Sequence, residues 1–195
     1  MLFQELHLLL GITFYIYDLL DRLLDKLESP VKAADWADAL GFRQDAYWGR
    51  FTGNQCSDLL NNVDVMRKLL KPHPEIFQNE NIQDTLAALD AFRRVKDTTF
   101  GMLLDEDNYQ EAIVDFSYTY MVLVNRFKSQ PEIKFNVTLK AHILFAHTIY
   151  FLEIQNGAKR EDDPHFVARG LGFWLLYMFC DVIKVFQLPM YIAIF

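Results

Sequence analysis

The chain has 195 residues, of which 52% are hydrophobic, 15% aromatic and 23% charged. This composition can bury a sizeable core, and it excludes an intrinsically disordered chain, a collagen and a disulfide-stapled miniprotein. The formal net charge of -7 gives no electrostatic support for nucleic-acid binding by this chain alone. Cys56 and Cys180 are far apart and in no paired spacing, which indicates a reducing, intracellular compartment.

Apolar residues recur every three or four positions along most of the chain, so we expect an all-α or mainly α fold in a single multi-helix domain. A long helix is predicted over residues 2–28. A short second helix is predicted to follow, with Ser29 as its N-cap, Pro30 at its first position and Gly41 as its C-terminal cap. Residues 43–53 have no clear period and are expected to form a loop.

Four further helices are expected on the same grounds, over residues 56–70, 82–100, 109–127 and 138–153. Asn54 is the expected N-cap of the first of these helices, and Leu59 and Phe116 lie on the stripes that should form the core. Residues 135–139 favour β-structure and could add a short strand before the last helix.

The C-terminal segment, residues 165–195, differs in composition from the helical domain predicted over residues 1–164. It contains an uninterrupted apolar run at residues 171–180. It could be a membrane anchor, a buried final helix or strand, or an abnormal end of the reading frame. Asp181 and Lys184 would each cost about 2.5 to 3.5 kcal/mol at the centre of a bilayer, which disfavours the anchor. The N-terminus has no positively charged start or cleavage site, so we expect no secretory signal.

The strongest candidates for chemistry are His142 and His147. On a regular helix this spacing separates the two side chains by about 140°, unless the helix bends or unwinds. A structural zinc site would need two further ligands, usually a pair of closely spaced cysteines, and the sequence has no such pair. Spacing alone therefore favours packed or capped histidines, and we expect no cofactor beyond weakly bound zinc at this half-site.

A second candidate set consists of the aromatic residues Tyr47, Trp48 and Phe51. Exposed aromatic side chains are common energetic anchors for a protein partner, but buried aromatic residues are more frequent. We therefore treat this set as a candidate interaction surface that competes with an ordinary core role.

Three short segments, in this order, resemble the C-terminal region of transposase-derived open reading frames in animal genomes. They are GRFTGNQC at residues 49–56 with LL at 59–60, TLKAHILFAH at 138–147, and GLGFW at 170–174. The same order is similar to the catalytic region of the V(D)J recombinase and its Transib-type transposase relatives. There a Gly-Asn helix start precedes a His-x4-His pair and a Gly-x-Trp segment. The resemblance covers roughly residues 2–174.

The resemblance implies an RNase-H-like core whose acidic triad binds two divalent metals, with a helical insertion ahead of the last glutamate. Residues 2–153 would correspond to that insertion and its surroundings, and His142 and His147 would descend from zinc ligands. The family's aspartates lie upstream of the residues present here. The expected glutamate after Trp174 meets Phe179 and Cys180, and Asp181 is one position off, so we assign it no catalytic role.

The sequence thus favours a non-catalytic, transposon-derived helical protein, a remnant of a transposase insertion region. The alternative is an α-helical protein-interaction module, which would bind its partner through the aromatic set or the apolar segment. A tail-anchored, membrane-associated protein is less favoured than either.

Overall fold

The computed structural model describes residues 3–42, 51–100, 105, 107–130, 132–149 and 152. Within these residues the chain forms eight α-helices and no strand, which confirms the mainly helical prediction. The helices are α1 (Phe3–Lys26), α2 (Ala33–Ala39), α3 (Gly53–Asn61), α4 (Val63–Leu70), α5 (Pro74–Phe77), α6 (Glu80–Thr99), α7 (Tyr109–Phe127) and α8 (Leu139–Ala146).

The chain divides between Ala141 and His142 into two units. The first unit contains α1 to α7 and the start of α8. The domain boundary predicted after residue 164 and the apolar C-terminal segment lie outside the described residues, as do residues 43–50 of the loop predicted over residues 43–53.

Helix α6 is the centre of the first unit and packs against α1, α3, α4, α5 and α7. Its large apolar side chains, together with the small residues Ala88 and Ala91, are buried. Small side chains at a helix contact allow the neighbouring backbone to approach closely. The fully buried large residues of α6 are Ile82, Leu86, Leu89, Phe92 and Val95.

The start of α3 is set by a reciprocal capping box rather than by Asn54, so that prediction was wrong. Thr52 Oγ1 accepts a hydrogen bond from the Gln55 amide at 3.3 Å, and Gln55 Oε1 accepts one from the Thr52 amide at 2.8 Å. The box satisfies two amides that would otherwise lack partners, and it places Asn54 inside the helix.

The helix predicted over residues 56–70 is interrupted at Asn62, which has φ −122° and ψ 33° and separates α3 from α4. At the break, the Asn62 carbonyl accepts a hydrogen bond from the Val65 amide at 3.0 Å and a second one from Trp36 Nε1 at 3.1 Å. Trp36 is fully buried, so this bond satisfies the one polar atom of its side chain.

A short helix, α5, begins at Pro74, since proline is compatible with a first helical turn.

Helix α2 begins later than predicted, and Ser29 is not its N-cap. The Ser29 hydroxyl accepts a hydrogen bond from the Val31 amide at 3.1 Å, which closes a turn before the helix. The N-cap residue is Lys32, whose amide donates to the Asp35 carboxylate at 2.7 Å. The predicted C-terminal end is confirmed: Gly41 has φ 72°, and the Phe42 amide donates to the Ala37 carbonyl at 3.0 Å.

The short strand predicted at residues 135–139 is absent, and Leu139 begins α8. Lys134, directly before this segment, has φ 45°, a left-handed conformation that turns the chain as it enters residues 135–139. The backbone on either side of Phe135 bonds to side chains instead of to another strand. Tyr15 donates its hydroxyl proton to the Lys134 carbonyl at 3.1 Å and accepts from the Asn136 amide at 3.0 Å.

The side chain of Phe135 is the reason why this segment is held inside the first unit. Its ring is 1% exposed and stacks on Tyr15 with ring centroids 4.8 Å apart. On the α7 side it contacts Tyr120 at 4.9 Å and Phe127 at 6.4 Å between centroids. The Tyr120 hydroxyl adds a hydrogen bond to the Asn136 carbonyl at 3.0 Å. Aromatic packing thus joins α1 to α7 through an irregular segment.

Leu59 and Phe116 are both fully buried, as their positions on the apolar stripes predicted. We expect Leu59→Ala or Phe116→Ala to lower the free energy of unfolding by about 2 to 5 kcal/mol, because each leaves a cavity in a packed core. Chemical denaturation measures the change. The exposed Tyr118→Ala variant is the control and should stay within about 0.5 kcal/mol of wild type. Wild-type stability in both core variants would contradict the helix assignment.

Candidate functional site

His142 and His147 lie close together in the structure, although a regular helix would separate them. Helix α8 ends at Ala146, and His147 occupies the turn that follows it. The His147 amide still donates to the Ile143 carbonyl at 3.1 Å. The two imidazole rings meet edge to face, with centroids 5.2 Å apart. The helical backbone is interrupted at His147 and resumes at Thr148 and Ile149, and the two rings meet at this interruption.

This separation is typical of ordinary edge-to-face packing, and two imidazoles on one tetrahedral zinc have a similar separation of about 5 Å. His142 Nε2 is buried and has no hydrogen-bond partner among the described residues. A complete site is nevertheless absent from this part of the chain, where no three His, Cys, Asp or Glu side chains are grouped to hold a metal. The residues that the structure describes fit half of a zinc site and do not supply the four ligands that the resemblance implies.

Cys56 is not a suitable further ligand for zinc. Its thiol is 1% exposed, and burial raises its pKa to about 12, whereas zinc binds the thiolate.

We expect a metal chelator to leave the melting temperature of the purified chain unchanged, because two protein ligands alone hold zinc weakly. Differential scanning fluorimetry with and without EDTA tests this expectation, and mass spectrometry of the native chain gives the zinc content. The His142→Ala variant should, like wild type, show no melting shift with EDTA and contain no stoichiometric zinc. Stoichiometric zinc that is lost in the His142→Ala variant would instead show a complete site.

The predicted aromatic interaction set is not present as an exposed surface at Phe51. This side chain is 6% exposed and packs against Tyr17 and Phe42, with ring centroids 5.1 Å and 6.1 Å away. Phe51 is a core residue here, because the chain returns to α1 and α2 just before the α3 capping box. Tyr47 and Trp48 lie outside the described residues.

An exposed apolar surface occurs instead on α7, where the sequence analysis did not place one. We call Val114, Tyr118 and Met121 the α7 face. Their exposed fractions are 57%, 73% and 37%. The spacing i, i+4, i+7 puts all three side chains on one side of the helix, opposite the stripe that Phe116 and Leu123 bury. In the sequence, these three residues form a second series of apolar residues at helical spacing, in addition to the series that contains Phe116.

Acidic groups border the α7 face on one side. Glu111 and Asp115 both pair with Arg94 of α6, at 3.6 Å and 2.7 Å between charged atoms. All three side chains are about half exposed or more, so the pairs are solvated and contribute little to stability. Two carboxylates against one guanidinium leave this border negatively charged.

Searches for similar proteins found no matching family model, curated protein or solved structure. Among the helices that the structure describes, none is long and apolar enough to cross a membrane.

Proposed function

We propose that the chain is a non-catalytic helical protein, derived from the insertion region of a DNA transposase, that acts by binding a protein partner. The motif order at residues 49–60, 138–147 and 170–174 supports the origin. The departures at Phe179 and Cys180, where a catalytic glutamate is expected, support the loss of catalysis. The observation that carries the binding role is the α7 face.

The α7 face has the spacing that helices use when they dock in a groove or on another helix. Its exposed residues include Tyr118, and tyrosine is one of the side chains that most often contribute large binding energies at protein interfaces. The opposite side of α7 is fully engaged in the core, where Phe116 contacts Phe92 with ring centroids 4.8 Å apart. The face therefore does not help to hold α7 in the fold and is available for association.

The charge of the chain indicates the kind of partner. The net charge of -7 and the acidic border at Glu111 and Asp115 oppose a second copy of the same chain and favour a positively charged surface. We therefore assign the α7 face to a basic amphipathic helix of another protein. Its apolar side would cover Tyr118, and its lysine or arginine residues would lie beside the carboxylates.

The probe for this proposal is a synthetic amphipathic helix with leucine on one face and lysine on the other, labelled for fluorescence anisotropy. We expect wild-type chain to bind it and Tyr118→Ala to bind it about tenfold more weakly, since a central tyrosine anchor contributes more than 1 kcal/mol. Val137→Ala is the matched control, because Val137 is likewise an exposed apolar residue, at 37%, but lies outside α7.

Two results would count against the assignment. One is equal binding by wild type and Tyr118→Ala, and the other is equal binding of a peptide in which glutamate replaces each lysine. Sedimentation of the chain alone tests self-association; a dimer lost in Tyr118→Ala would identify a second copy as the occupant instead.

The absence of catalysis has its own test. We expect no Mg²⁺- or Mn²⁺-dependent nicking or strand transfer on plasmid DNA, because cutting phosphodiesters by two metals needs carboxylate ligands, and Phe179 and Cys180 stand where the resemblance expects the last glutamate. Agarose gel electrophoresis of the plasmid measures both reactions. Nicking that disappears in Asp181→Ala would overturn the proposal and make Asp181 a metal ligand.

A further inference from the structure

A cleft of about 770 Å³ opens in the first unit between α1, the start of α3 and the first turn of α8. This volume falls in the range of small-molecule sites, about 300 to 1,000 Å³. Its walls are mainly apolar and include Leu10 and Phe14 of α1 and the buried ring of Phe51. The cleft lies apart from the α7 face.

Most polar groups in the wall of the cleft are already engaged within the protein. The Tyr15 hydroxyl bonds to the backbone of Lys134 and Asn136, and Thr52 Oγ1 caps α3. The Asp18 carboxylate pairs with Arg22 at 2.9 Å. These groups shape the cleft, but their hydrogen bonds and charges are balanced by neighbours.

Lys140 is different. It lies at the start of α8, and its side chain crosses the backbone of α1 at Gly11. A Cβ atom at Gly11 would clash with Cδ and Nζ of Lys140, so the lysine can occupy this place only because residue 11 has no side chain. The ammonium group forms no ion pair or hydrogen bond with any residue that the structure describes.

The cleft thus combines apolar walls with one uncompensated positive charge. The ligand that satisfies both is an organic anion with an apolar body, because the body covers the aromatic wall and the anion pairs with the ammonium group. A single lysine without arginine neighbours suits a monoanion such as a carboxylate better than a phosphate dianion. A cationic ligand is disfavoured, since Arg22 already neutralises Asp18.

We propose that this cleft binds an apolar carboxylate, with its carboxylate group on Lys140 and its aromatic or aliphatic body between α1 and Phe51. Ligand binding in this cleft is independent of partner binding at the α7 face. Tyr118→Ala should therefore leave ligand binding unchanged, and a negative result for one proposal does not contradict the other.

The probe is 1-naphthaleneacetate, titrated into the full chain and followed by calorimetry. We expect saturable binding to wild type, and binding about tenfold weaker in Lys140→Met, which keeps a long apolar side chain but removes the charge. Lys128→Met is the matched control: Lys128 is also an exposed lysine but lies outside the cleft, and its replacement should leave the affinity unchanged. Both lysines are exposed, so neither change should affect folding.

The neutral amide, 1-naphthaleneacetamide, separates charge recognition from simple apolar binding and should bind about tenfold more weakly than the acid to wild type. Lys140→Arg should restore most of the affinity for the acid. The proposal is overturned by no saturable binding of the acid, by equal affinity in wild type and Lys140→Met, or by equal affinity for acid and amide.

Discussion

Helix α6 contacts five other helices. Polar side chains that these contacts bury must therefore form hydrogen bonds or ion pairs within the protein. The polar side chains of α6 meet this demand through its neighbours, and in doing so they fix how those neighbours are arranged. Lys96 is the clearest case: its side chain is only 10% exposed, and its ammonium group reaches Asn61 of α3 at 2.6 Å. Equivalent contacts join Asp90 to Arg67 of α4 and Asp84 to Arg126 of α7. Around α6, polar contacts orient helices that apolar burial alone would leave free to rotate.

The sequence predicted the helices and the core well, because apolar periodicity records which side of a helix faces inward. It was less informative about helix ends. Thr52 replaced Asn54 as the α3 cap because a reciprocal pair with Gln55 satisfies two amides at once, and the break at Asn62 has no proline or glycine to mark it. The missing strand has a tertiary cause: residues 135–139 favour β-structure, but the amide and carbonyl of Asn136 bond to the tyrosine hydroxyls of α1 and α7. No local pattern contains that information.

The candidate sites divide in a similar way. Spacing identified His142 and His147 but not their approach, which depends on where α8 ends. The sequence identified the buried series of α7 through Phe116, but the second apolar series, which forms the α7 face, was recognised only from its exposure in the structure. The cleft could not be predicted at all, since Gly11 and Lys140 are 129 positions apart in the chain and meet only in the folded protein.

The bridge through Phe135 has a consequence for the synthesis of this chain. Tyr15 and the Asn136 amide that it bonds are 121 positions apart, and the buried side of α1 is completed only when α6, α7 and this segment are present. At about 5 to 20 residues per second, a ribosome needs roughly 6 to 24 s to make the intervening chain. During that time an α1 rich in leucine and isoleucine is without its final partners. Such a nascent chain exposes apolar surface that chaperones bind, and the final packing of α1 waits for translation, because a helix forms in about a microsecond or less.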